Sequence, residues 1–112
     1  MATEPQQSQQ AQQLIGQAQA YQQQLQNVVA QKEAFNMQLM EIKRAVEELE
    51  NVKEDVYKVA GPILVKSDPK AVKKELEEKV ELIDLRLKTL EKGEEKLKKQ
   101  IEDLKLKLSK IS

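Results

Sequence analysis

The segment VYKVAGPILVK, residues 56–66, decides the fold of this chain. Its β-branched and aromatic residues favour strands, and the Gly61-Pro62 pair in its middle favours a turn. The segment therefore predicts a β-hairpin between two longer stretches. A lone hairpin has two open edges and is marginally stable, so we expect it to pair with hairpins of other subunits. The residues predicted for this oligomerisation surface are Val56, Tyr57, Val59, Ile63, Leu64 and Val65.

On both sides of the hairpin, apolar residues recur in alternating steps of four and three, which is the pattern of a coiled coil. Each of the two ladders has eleven positions, and the sixth is charged in both. This match predicts one long helix folding back antiparallel on the other. The first ladder is Leu14, Ala18, Tyr21, Leu25, Val28, Lys32, Phe35, Leu39, Ile42, Val46 and Leu49; the second is Leu76, Val80, Ile83, Leu87, Leu90, Glu94, Leu97, Ile101, Leu104, Leu108 and Ile111.

The two charged ladder positions are Lys32 and Glu94. In an antiparallel pair they fall in neighbouring layers, about 5 Å apart along the axis, within reach of both side chains. We interpret them as a register pair, because a polar residue in a coiled-coil core selects one alignment at some cost in stability. The alternative is that each side chain extends independently to water.

The predicted organisation is a mainly α fold, a long antiparallel two-helix coiled coil with one β-hairpin at the connecting end. Asp68 and Pro69 mark the start of the second helix, since Asp caps free amide groups and proline fits the first helical position. Gly93, beside Glu94, is the weakest helical position. The predicted segments are a flexible N-terminus at 1–8, a first helix at 9–52, the hairpin element at 53–67 and a second helix at 68–112.

Composition argues against several classes of function. The 112 residues include 19 basic and 19 acidic side chains, so the net charge of zero does not suit a general nucleic-acid binder. The absence of His and Cys removes the commonest general base, the thiol nucleophile and the usual zinc ligands. We therefore predict no catalytic residues, no metal site and no cofactor. The sequence shows no apolar run of membrane-spanning length, and we expect a cytoplasmic protein without a membrane partner.

The order of long helix, single hairpin and long helix resembles the β-type subunit of archaeal prefoldin, an ATP-independent holdase chaperone. The most specific matches are YQQQLQ at residues 21–26, VAQK at residues 29–32 and the hairpin itself. Only one hairpin fits between the helices, whereas α-type prefoldin subunits carry two, which favours the β type. The resemblance covers nearly the whole chain.

The resemblance implies a hexamer of two α-type and four β-type subunits, in which the hairpins join into a β-barrel and the helical hairpins project from it. It further implies that unfolded client proteins are held at the tips and delivered to a group II chaperonin. The tips correspond to the two ends of this chain. The glutamine-rich start and the short tail beyond the second ladder depart from the general family pattern.

Apolar residues near the chain ends are the candidates for client binding. Leu106 lies off the ladder between Lys105 and Lys107, and Ile15 flanks Leu14 at the ladder's edge. A loosely closed tip would expose an apolar patch for another chain to cover; alternatively, these residues simply close the coiled coil. The competing function is a structural scaffold or tether that binds a folded partner, with membrane-surface binding by the basic C-terminal segment a more distant alternative. The predicted client-binding residues are Leu14, Ile15, Leu104, Leu106, Leu108 and Ile111.

Overall fold

The computed structural model describes residues 5–111, with side chains for residues 8–111. The elements follow one another as helix α1 (Pro5–Leu49), strand β1 (Val56–Ala60), strand β2 (Ile63–Ser67) and helix α2 (Pro69–Ile111). The predicted fold of two long helices with one connecting hairpin is therefore confirmed. The chain divides into two compact units, which we call the terminal unit (Met1–Lys32 with Thr89–Ser112) and the hairpin unit (Glu33–Lys88).

Helix α1 begins and ends earlier than the predicted span of 9–52. It begins at Pro5, because proline's fixed backbone angle suits the first helical position. It ends at Leu49, whose carbonyl oxygen accepts a hydrogen bond of 3.2 Å from the backbone N–H of Val52. Such a bond between residues three apart tightens the chain and closes the helix end. Residues 1–4 of the predicted flexible N-terminus lie outside the described residues.

Helix α2 begins at Pro69, directly after Asp68, as the residue pair suggests. The backbone carbonyl of Asp68 accepts a hydrogen bond of 3.1 Å from the N–H of Val72, the first bond of the helix. The helix then continues through Gly93 to Ile111 without a break. A Cβ atom placed on Gly93 would meet no atom within 4 Å, so no close packing requires a glycine there.

The hairpin is a regular antiparallel pair with a two-residue loop. Ala60 pairs with Ile63, which leaves Gly61 and Pro62 as the loop. Gly61 has a φ of 61°, a left-handed conformation that L side chains rarely adopt. Glycine at the first loop position with φ above zero is typical of a type II′ turn, whose twist matches that of the strands.

The ladder positions form the buried side of both helices, because every one of the 22 is buried or partly buried. In the hairpin unit, Leu39, Ile83 and Leu87 form a buried cluster, against which three partly buried residues pack. The buried residues of the terminal unit are Leu97, Ile101 and Leu104. The residues packed against the hairpin-unit cluster are Phe35, Ile42 and Val80.

Candidate functional site

One face of the hairpin is uncovered and largely apolar, with Lys66 opposite Tyr57 as its charged member. Because successive side chains of a strand point to opposite faces, Tyr57, Val59 and Leu64 share one face, with Val59 directly opposite Leu64. Their exposed fractions are 67%, 73% and 67%. We call these three residues the hairpin face. Large apolar side chains are seldom left this exposed in a contiguous group without a partner.

The opposite face of the hairpin contacts helix α2 through an ion pair. Lys58 on β1 donates a hydrogen bond to a carboxylate oxygen of Glu75. This bond, together with the lysine's charge, holds the pKa of Glu75 below its usual range. Val56, on the same face as Lys58, is partly buried. The other two predicted hairpin residues, Ile63 and Val65, share this face and are exposed.

Lys32 and Glu94, the predicted register pair, lie together in the terminal unit. The Nζ atom of Lys32 is 3.3 Å from Oε2 of Glu94, and the two side chains are 23% and 16% exposed. Oε1 of the same carboxylate lies 3.3 Å from Nζ of Lys98, one turn along α2. The hydrogen bond from Lys32 is the main cause of a pKa of Glu94 below its usual range, with that from Lys98 adding to it. The carboxylate of Glu94 thus accepts hydrogen bonds from a lysine of each helix.

The predicted client-binding residues divide by burial. Leu104 is only 5% exposed, so the expectation that it belongs to an open apolar patch is wrong. As a ladder position it faces into the helix pair, and with Ile101 at 7% it shows that the coiled coil is closed there. Ile15 and Leu106 are exposed, at 46% and 58%. The remaining three, which are partly buried, are Leu14, Leu108 and Ile111.

Two open grooves flank the ladder of the terminal unit. The first groove, of about 600 Å³, has an apolar floor that includes Ile15, Ile101 and Leu108. The second groove, of about 360 Å³, has a floor of Leu14 and Ile111. The other residues of the first groove are Ala18, Gln19, Gln22, Gln23, Gln26 and Lys105; those of the second are Gln10, Gln13, Gln17, Lys107 and Lys110.

The polar walls of these grooves were missed by the sequence predictions. The predicted client-binding residues were all apolar, whereas glutamines of α1 and lysines of α2 border the apolar floors. Some of these residues occupy the places of the heptad that directly flank the ladder, which is the signal that could have found them. They are Gln10, Gln17, Gln22, Lys105 and Lys107. Four of the predicted residues line the grooves, Ile15 and Leu108 in the first and Leu14 and Ile111 in the second, whereas Leu106 lines neither.

Residues 5–111 do not assemble a metal site, since no three His, Cys, Asp or Glu side chains are placed to hold an ion. In the same part of the chain, neither helix is apolar enough over a sufficient length to span a membrane.

Exposed apolar side chains also occur in the helices of the hairpin unit. They are Met37, Met40, Leu82 and Leu85.

Comparison with known proteins gives consistent matches over almost the whole chain. The family model described as "Prefoldin subunit" matches residues 12–111. A prefoldin subunit beta of Thermococcus onnurineus is 43% identical over 101 residues, covering 88% of this chain and 87% of the relative. A prefoldin subunit beta of Thermococcus gammatolerans is 40% identical over 101 residues, with shares of 88% and 86%. The crystal structure of the prefoldin beta subunit from Thermococcus strain KS-1 superposes with a TM-score of 0.84 at 36% identity, covering 97% of this chain and 94% of that one.

Proposed function

The chain belongs to the prefoldin subunit family, and on this premise we propose that it is a β-type subunit of an ATP-independent holdase that captures unfolded proteins and delivers them to a group II chaperonin. Family membership by itself supports a chaperone-type function and assembly with other prefoldin subunits. It also indicates a non-enzymatic role, since prefoldins are chaperones. We further propose that the protein captures clients at the tips, that it delivers them to a chaperonin and that it is located in the cytoplasm.

The observation that carries the proposal is apolar surface left uncovered in both units. The hairpin face, Tyr57, Val59 and Leu64, is about two thirds exposed or more. The terminal unit has two grooves with apolar floors, the first of them lined by the exposed Ile15, and an exposed Leu106 outside both grooves. A subunit that must both assemble and hold unfolded chains needs two such surfaces.

The hairpin face serves assembly in this proposal. Its strands leave hydrogen-bonding edges open, and the pair of strands is too small to be stable without further packing. Pairing with hairpins of α-type subunits and of other copies of this chain would satisfy both the edges and the apolar face. A β-barrel made of hairpins in a hexamer is the arrangement that we propose.

The terminal unit serves client capture. An unfolded segment that lies in a groove can bury its own apolar side chains against Ile15 or Ile111 while its backbone remains near polar groups. Leu104 is removed from the proposed client surface because the helix pair already buries it. The proposed client-binding residues are Leu14, Ile15, Leu106, Leu108 and Ile111.

Lys32 and Glu94 support this role by fixing which residues of the two helices face one another. A slip of one heptad would leave both charges opposite apolar ladder positions, without a partner. The present alignment is the one that places Ile15 beside Leu108 in the first groove. We propose that the pair selects this alignment.

A structural scaffold that binds a folded partner is the competing function. A scaffold needs neither an uncovered hairpin face nor apolar grooves at the chain ends, whereas a holdase needs both. These uncovered surfaces favour the holdase.

Suppression of aggregation tests the proposal. The oligomer that contains this chain is mixed with a chemically unfolded enzyme without ATP, and light scattering is followed. We expect the wild type to suppress scattering and the Ile15→Ser/Leu106→Ser variant to do so less at equal concentration. Both residues are exposed, so serine should leave the helix pair folded.

The matched control is Leu82→Ser/Leu85→Ser, which removes two leucines of similar exposure in the hairpin unit. Its suppression should equal that of the wild type. Equal losses in both variants would refute the terminal unit as the client site, and a wild-type oligomer that suppresses no aggregation would refute the holdase altogether.

A further inference from the structure

The two grooves of the terminal unit carry positive charge without negative charge. Lys105 borders the first groove, and Lys107 and Lys110 border the second. Among the described residues, no carboxylate lines either groove. Glu102 lines a neighbouring depression, but there it stands beside both Lys98 and Lys105.

None of the ion pairs seen within the described part of the chain includes Lys105, Lys107 or Lys110, although Glu102 and Asp103 precede Lys105 and Lys107 by one turn of α2. The ion pairs seen there are Lys32–Glu94, Lys98–Glu94, Lys58–Glu75 and Lys66–Asp55. Helix α1 cannot supply a partner near the grooves, because residues 5–31 contain no charged side chain. The three lysines therefore present their charge to whatever occupies the grooves.

The remaining polar wall consists of glutamine amides. An amide side chain both donates and accepts hydrogen bonds, so it can pair with either group of an extended backbone. It has no net charge and adds no preference for the charge of a client. The apolar floor favours apolar side chains of a client, and the amides can hydrogen-bond with the backbone of any client. Only the three lysines distinguish clients by charge.

We propose that the grooves preferentially bind unfolded segments in which apolar residues are flanked by Asp or Glu. This inference rests on the proposed client capture and names its substrate class. The argument is charge complementarity: an acidic residue beside an apolar anchor comes within a few ångströms of an unpaired ammonium group, whereas a basic residue is repelled. A purely structural role for Lys107 and Lys110, favourable interaction with the C-terminal end of the α2 dipole, would predict no preference among clients.

The test uses three fluorescent peptides of about twelve residues with the same leucines and with Glu, Gln or Lys at the same flanking positions. Dissociation constants are measured by anisotropy with the assembled oligomer. At low ionic strength we expect the Glu peptide to bind about tenfold more tightly than the Lys peptide, since several exposed charge contacts combine. At about 0.5 M salt this ratio should fall towards one, while binding of the Gln peptide persists.

The variant Lys105→Gln/Lys107→Gln/Lys110→Gln should remove the preference and still bind the Gln peptide. The matched control, Lys92→Gln/Lys96→Gln/Lys99→Gln, removes the same charge from the same helix at positions outside the two grooves. It should keep most of the preference. Circular dichroism with both variants checks that the helices remain intact.

Every other outcome of these measurements contradicts one particular part of the proposal. Equal binding of all three peptides by the wild type would overturn the charge preference and leave client capture standing. Equal loss of preference in both lysine variants would overturn the assignment to the grooves. If none of the peptides binds, including the Gln peptide, client capture fails and the inference fails with it. A folded acidic protein that binds as tightly as the Glu peptide would overturn an unfolded segment as the occupant.

Discussion

Removing the apolar character of the hairpin face should separate assembly from folding. The proposed variant is Tyr57→Thr/Val59→Thr/Leu64→Thr. Threonine is β-branched and suits strands, so the hairpin and its Gly61-Pro62 turn should still form. What the variant loses is apolar surface that the isolated chain leaves in water. We therefore expect intact helices and a much weaker oligomer.

The size of the effect follows from the exposed fractions. Full burial of an apolar side chain of this size stabilises by about 1.5–3 kcal/mol. In the isolated chain the three side chains are 67%, 73% and 67% exposed. Burial of this remaining surface against a partner should therefore stabilise the complex by about 1–2 kcal/mol for each side chain. For the three side chains together, burial contributes about 4 kcal/mol per chain to association. In the variant, the methyl groups of the threonines still contribute roughly a quarter of this free energy. A loss of about 3 kcal/mol weakens association about 100-fold.

Native mass spectrometry over a dilution series measures this change directly. Mixed with a candidate α-type prefoldin subunit, the wild-type chain should keep its highest oligomeric mass down to concentrations about 100-fold lower than the variant does. The control Met37→Gln/Met40→Gln removes two other exposed apolar side chains of the hairpin unit and should dissociate like the wild type.

The reasoning is refuted if the threonine variant keeps the wild-type mass at every concentration at which the wild type does. It is also refuted if the methionine control dissociates equally, because exposure alone, and not position on the hairpin, would then explain the loss. Far-UV circular dichroism must show equal helix content in all three proteins for the comparison to stand.

Five further substitutions test individual parts of the structure. Gly93→Ala should stabilise the chain by about 1 kcal/mol and raise the Tm by about 4 °C in thermal unfolding, since a Cβ meets no atom there; a lower Tm would contradict the open space. Gly61→Ala should destabilise the hairpin by about 1–2 kcal/mol and weaken assembly, because its φ is 61°. Leu104→Ala should cost about 2–5 kcal/mol in urea unfolding, and Leu106→Ala much less, since only the former is buried; equal costs would contradict the closed helix pair. The hydrogen bond from Lys32 holds the pKa of Glu94 below the ordinary carboxyl value of 4.5, so the ion pair stabilises the fold above that value and its contribution is lost as pH falls through the lowered pKa. The free energy of unfolding in urea should therefore fall less steeply below pH 4.5 for Glu94→Gln than for the wild type, and equal slopes would contradict the stabilising pair.

Periodicity was sufficient to predict the helix pair. All 22 ladder positions, including Lys32 and Glu94, are buried or partly buried, because a strict alternation of four and three keeps one side of each helix towards its partner. The hairpin was predictable for an equally local reason, as Gly61-Pro62 between β-branched runs leaves few alternatives to a tight turn.

What the ladder could not predict was which members of a terminal patch are accessible. Leu104 and Leu106 are two residues apart and chemically identical, yet one is 5% and the other 58% exposed, because they fall on opposite sides of α2. The grooves are also properties of two helices together. Ile15 and Leu108 are 93 positions apart in sequence, and only the antiparallel alignment places them in one groove with a glutamine wall.

The most direct test of client capture is photo-crosslinking from a residue in a groove. A photoreactive amino acid replaces Gln19, which lines the first groove, or Gln38, which lines a groove of the hairpin unit together with Phe35 and Leu82 and with charged residues. Each oligomer is irradiated with an unfolded client and with the same client in its native form. We predict a crosslink at Gln19 with the unfolded client only and little at Gln38. Equal crosslinking at both positions, or capture of the native client at Gln19, would contradict the account.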